Sequence, residues 1–110
     1  MVVSELEFFK DFLEHLQDFI DFNSFNFEKP AVLFIQYPLK ITRGYYAKGL
    51  AKIWSYYFPF EVIYDADLKE IEVESEVFHY IVKVDEAKKF LEERHEGEIN
   101  EAKWREEHEY

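Results

Sequence analysis

The chain has 110 residues, 24 acids against 13 lysines and arginines for a formal charge of −11, and no cysteine. That length suits one domain around one core, and the lack of cysteine excludes disulfides, thiolate nucleophiles and cysteine metal sites. A composition 48% hydrophobic and 34% charged excludes a disordered chain, and apolar runs as short as 31–35 exclude a membrane-spanning helix, which needs about 20 such residues.

Ser4 followed by Glu7 is a capping-box pattern. The helix it opens is predicted to run to about Phe22. At 100° per residue, Leu6, Phe8, Phe9, Phe12, Leu13, Leu16, Phe19 and Ile20 share one half of its circumference. Glu7, Lys10, Asp11, Glu14, Gln17, Asp18 and Asp21 fill the other half, with His15 on the border. Residues 23–30 read as a polar and aromatic turn. Residues 31–37 are continuously apolar up to Gln36 and read as a buried strand closed by Pro38.

Thr42 can cap a second helix over about 43–57, with Tyr46, Leu50, Ile53 and Tyr57 inward, Trp54 beside them, and Pro59 as its end. Three strands are predicted next: 60–64; about 68–74, where Ile71 and Val73 alternate with Glu70, Glu72 and Glu74; and 77–84, apolar enough to be central. Asp85 caps a last helix through Ala87, Phe90 and Leu91, with Gly97 as its stop. These elements predict an α+β fold, a single sheet of about four strands with helices packed on it, in the order α-β-α-β-β-β-α. Residues 1–97 form the domain. Residues 98–110, charged and anchored only by Ile99, Ala102 and Trp104, form an extension expected to be a frayed or partner-dependent helix.

No catalytic motif stands out. Gly44 and Gly49 have phosphate-loop spacing, but Leu50 and Ala51 follow where Lys and Ser or Thr are required. The serines have no glycine-flanked elbow. Glu92 and His95 form one carboxylate–histidine pair at i, i+3, short of the three or four ligands that a metal needs, so no metal and no cofactor are expected. Asp65, Asp67, Glu70 and Glu72 cluster at a hairpin without the lysine that a metal-dependent nuclease strand often adds.

Charge is distributed unevenly. Between Lys29 and Pro59 lie Lys29, Lys40, Arg43, Lys48 and Lys52 and no acid, whereas all 24 acids lie elsewhere. Lys40, Arg43, Tyr45, Lys48, Lys52 and Tyr56 are therefore the candidate partner-binding residues. A fifth of the chain is aromatic, more than so small a core requires, which points to a non-enzymatic binding protein acting through protein–protein contacts, as a homodimer or with another protein. The same basic and aromatic residues suit nucleic acid as an alternative. The acid rows on the first helix and on 68–74 suit a third role, mimicry of a nucleic-acid backbone. The N-terminal segment carries Glu5 and Glu7 and no basic start, so no secretion signal is expected and a cytoplasmic location is. Few Asn, Gln and Met beside abundant Glu and Lys is a heat-adapted bias.

Overall fold

The first helix starts where its cap predicts. Ser4 Oγ accepts from the backbone N–H of Glu7 at 3.1 Å, opening α1 (Glu5–Glu14). The single helix expected to about Phe22 is instead broken at His15 (φ −104°, ψ 15°), and α2 (Leu16–Asn23) follows. The cause is local. His15 Nδ1 donates to the Asp11 carbonyl at 2.9 Å, the oxygen that the His15 backbone N–H also reaches at 3.2 Å, and such competition for the ladder bends a helix. Both helices keep their apolar side on the core: Phe9, Phe12, Leu16 and Ile20 are fully buried.

The structure, a computed structural model, describes residues 4–24 and 29–108, with side chains through residue 97. The middle of the turn expected at 23–30 and the side chains of Ile99, Ala102 and Trp104 lie outside the described residues.

The fold is α+β, with three helices and one antiparallel six-stranded sheet rather than about four strands. The strands are β1 (Ala31–Ile35), β2 (Leu39–Ile41), β3 (Gly44–Ile53), β4 (Tyr56–Asp65), β5 (Glu70–Ser75) and β6 (His79–Lys83), and α3 (Val84–His108) is the last described element. Their order in the sheet is β1-β3-β4-β5-β6, with β2 pairing β3 beside β1, so the expected α-β-α-β-β-β-α succession gives way to α-α, six strands, then α.

The largest correction is at 43–57, where a helix was expected. The chain there forms the β3–β4 hairpin, ten residues paired with ten from Gly44–Asp65 to Ile53–Tyr56. Trp54 and Ser55 make its two-residue turn, with Trp54 at φ 56°. Aromatic residues around the turn favour the extended chain, and the small residues Ala47, Gly49 and Ala51 alternate along one face of β3. Pro59, expected to end a helix, sits within β4 just past the last β4–β5 pair, Phe60 with Ser75, a position at which a strand tolerates proline.

Two strands are less buried than their apolar sequence suggests. β1 is an edge strand with a register irregularity between Val32 and Phe34, and Leu33 and Phe34 are exposed. β6, expected to be central, forms the opposite edge. Helix α3 begins at Val84, placing Asp85 in its first turn rather than at the cap, where a carboxylate still complements the helix dipole. It continues past Gly97 without stopping.

All three helices lie on one face of the sheet. From it Ala47, Ala51, Phe60, Val62, Tyr64, Ile71, Val73 and Val82 enter the core, meeting the helix rings and Val84, Ala87 and Leu91. Each large apolar side chain fully buried there contributes about 1.5–3 kcal/mol. Edge and tilted ring contacts run through this layer, such as Phe8 with Tyr64 at 5.9 Å and Phe19 with Phe90 at 5.8 Å.

Candidate functional site

Because successive strand residues point to opposite faces, the residues between those core positions form a second face that, among the described residues, no helix covers. The pairing arranges it in rows. Lys48, Glu61, Glu74 and His79 lie side by side across β3 to β6, and Tyr46, Ile63, Glu72 and Ile81 form the adjacent row. Antiparallel sheets often leave one face in water, but this one also carries exposed apolar bulk: Phe34 (54%), Leu39 (63%), Tyr57 (59%) and Ile81 (54%). Phe34, Leu50 and Pro59 line an open groove of about 700 Å³ whose charged margin includes Lys48, Glu61 and Glu74.

Charge on this face is sorted. Its basic part is Lys48 and Lys52 on β3, with Lys83 on the edge strand β6 taken up by Glu70; its acidic part is Glu61 on β4 and the Glu70, Glu72 and Glu74 row on β5. Glu61 stands directly opposite Glu74, a like-charge cross-strand pair, which is destabilising. Glu61 accepts from Tyr46 Oη at 2.8 Å. Burial, then that hydrogen bond and the carboxylate's charge, push the Tyr46 phenol up to about 12. Farther along, Glu70 receives Lys83 Nζ at 2.7 Å, which raises the lysine's pKa, and Glu72 lies 3.4 Å from His79 Nε2.

The six residues singled out from sequence do not form one helical face. Lys48 and Lys52 lie on the open sheet face, Lys52 with its Nζ 5.6 Å from the Tyr57 ring. Arg43 lies in the β2–β3 turn, exposed, with Nη1 3.6 Å from the buried Asp65 carboxylate. Lys40 and Tyr45 meet on the helix side, Lys40 Nζ 4.7 Å above a ring that stacks on Phe9 at 6.2 Å. Tyr56 belongs to the far end of the hairpin, where it lines a groove of about 540 Å³ with Trp54, Phe58, Phe78 and Tyr80. Of the acid rows, that of β5 is intact, while the break at His15 divides that of the first helix.

One constellation was not anticipated. Asp11, His15 and His95 converge, His95 Nε2 lying 2.8 Å from Asp11 Oδ2 and His15 Nδ1 3.3 Å from Asp11 Oδ1. The i, i+4 spacing of Asp11 and His15 is a local signal, whereas the arrival of His95, 84 residues away, depends on how α3 packs. No protein-family model, curated protein or solved structure matches this chain.

Proposed function

We propose that this chain is a non-enzymatic binding protein that works as a homodimer, two copies meeting through their uncovered sheet faces. The observation that carries the reading is the sorted charge on a face studded with exposed apolar side chains. The opposed Glu61 and Glu74 call for a cation, and the same face offers Lys48 one strand away. A half-turn about an axis along β4 lays β3 of one copy over β5 of the other. Lys48 then stands over the acidic pair, and Phe34, Leu50, Pro59 and Ile81 lie between the sheets. Face-to-face sheet packing at about 10 Å accommodates such side chains, and an isologous contact of this kind closes on itself as a dimer.

Light scattering and sedimentation of the wild type test this, with twice the chain's 13.4 kDa expected. Lys48→Glu gives monomer, and Lys48→Glu combined with Glu74→Lys restores the dimer by exchanging the signs. A wild type that remains monomeric at high micromolar concentration removes the proposal.

A further inference from the structure

We infer that Asp11, His15 and His95 form a binding site for one divalent transition-metal ion of the zinc class, clamping α3 to α1. Each residue offers a ligand atom, and the three atoms lie within 4.8 Å of one another. A tetrahedral ion with bonds of about 2.0–2.1 Å holds its donors roughly 3.3 Å apart, so the side chains need close by about 1.5 Å or less. Two imidazoles and one carboxylate suit zinc, cobalt, nickel or copper. Magnesium and calcium prefer a larger set of oxygens.

The surroundings also have the chemistry of a ligand site. His15 Nδ1 faces two oxygens of Asp11, the backbone carbonyl at 2.9 Å and the carboxylate Oδ1 at 3.3 Å, so the ring is held against the residue that would share the ion. His95 Nε2 and Asp11 Oδ2 are already in contact at 2.8 Å, and the ion takes the place of the proton between them, which leaves to solvent as the metal binds. Asp11 and His95 are partly open to water, with side-chain exposures of 30% and 46%, so water can complete the coordination. His15, at 11%, forms the inner wall.

The site has a mechanical role. Leu91 is the last buried residue of α3 among the described side chains, and Glu92–Gly97 are exposed. Among the described side chains the apolar hold on α3 therefore ends at Leu91, one turn before His95. An ion held between His95 and α1 adds a second attachment one turn farther on. It lies on the helix layer, away from the open sheet face, so the fate of this proposal is separate from that of the dimer.

The test uses tag-free, chelator-washed full-length protein, titrated with Co²⁺ by visible absorption and with Zn²⁺ by calorimetry. One ion per chain and a rise in Tm are expected, with no competition from Mg²⁺ or Ca²⁺. Asp11→Asn and His95→Ala each weaken binding at least about 100-fold, the upper end of what loss of a mere supporting partner costs. His79→Ala, on the far edge of the sheet, changes nothing. Histidine NMR signals of the wild type decide the matter without a variant: Co²⁺ must displace or broaden His15 and His95 and spare His79. Absence of a Co²⁺ spectrum, wild-type affinity in His95→Ala, or broadening confined to His79 would each overturn the inference.

Discussion

The side chain of Gln17 completes the backbone of Val32: its Oε1 accepts the Val32 N–H at 2.6 Å while its Nε2 donates to the Pro30 carbonyl at 3.0 Å. A glutamine on α2 thereby behaves as a short stretch of neighbouring strand, satisfying both polar groups where the chain enters the edge strand β1. Gln17→Leu keeps the bulk and removes both bonds. It is expected to cost about 1–3 kcal/mol, the penalty for leaving part-buried backbone groups unsatisfied, read as a lower urea midpoint at unchanged m-value.

Two glycines predict opposite outcomes. A Cβ on Gly49 would lie 2.6 Å from Cε1 of Phe60 and 2.7 Å from the Phe34 carbonyl, too close for either to remain in place. Gly49→Ala is expected to lose about 1–3 kcal/mol through overpacking. A Cβ on Gly97, inside α3, meets nothing within 4 Å, so Gly97→Ala gains up to about 1 kcal/mol from helix propensity alone. Paired thermal melts of the two variants check both signs.

Alkaline pH weakens the fold through two groups on the open sheet face. The Tyr46 phenol is raised from 10.0 to about 12 in the folded chain, so between those values the unfolded chain loses its proton first. Stability is full below pH 10 and falls as pH rises toward 12. Lys83, raised from 10.5 by its hydrogen bond to Glu70, acts in the same direction, its contribution present below 10.5 and lost above its folded value. Tyr46→Phe should flatten part of this decline in a series of melts from pH 9 to 12, and tyrosinate absorbance should show Tyr46 titrating late, beside Tyr64, which burial also raises. A decline unchanged in Tyr46→Phe counts against the Tyr46–Glu61 bond.

Salt and nucleic acid separate the dimer from the nucleic-acid reading. Charge complementarity between copies means that added salt raises the dimer dissociation constant, and Lys48→Glu with Lys52→Glu leaves a monomer whose stability changes little. Gel shifts with single- and double-stranded DNA and RNA at about 50 mM salt are expected to show no complex, because the acidic β5 row shares the face with both lysines. A complex lost by the double reversal, with affinity falling about one log unit per log unit of salt for each contact, would support nucleic acid instead.

Legibility in the sequence followed the range of the interactions. The α1–α2 face and the alternation of Glu70–Glu74 are local periodicities, and both survive in the structure apart from the break at His15. The β3–β4 hairpin was hidden because the core face of β3 carries Ala47, Gly49 and Ala51, leaving no bulky period-2 signal, while Tyr46, Leu50, Ile53 and Tyr57 happen to recur at helical spacing. The missing bulk belongs to Phe60 on the neighbouring strand, whose ring covers Gly49. Of the candidate binding residues, Lys48 and Lys52 remained together because i, i+4 shares a face in strand and helix alike, whereas Tyr45 moved to the opposite side. The Asp11–His15–His95 cluster depends on tertiary packing, which no local pattern encodes.

The sheet's topology also shapes how the chain reaches this state. From β2 to β6 every strand pairs with the next one along the chain, and β1 alone reaches past its neighbour to pair with β3, so most of the ladder can grow hairpin by hairpin with short loop closures. A bare meander, however, leaves its apolar side wet until helices cover it, and those helices flank the strands in sequence, α1 and α2 before them and α3 after. Hairpin growth alone therefore does not complete the core, which also needs α1 and α2 to meet α3 over the sheet. Because α3 is made after the whole sheet, a ribosome still holding α3 leaves the nascent sheet half-covered.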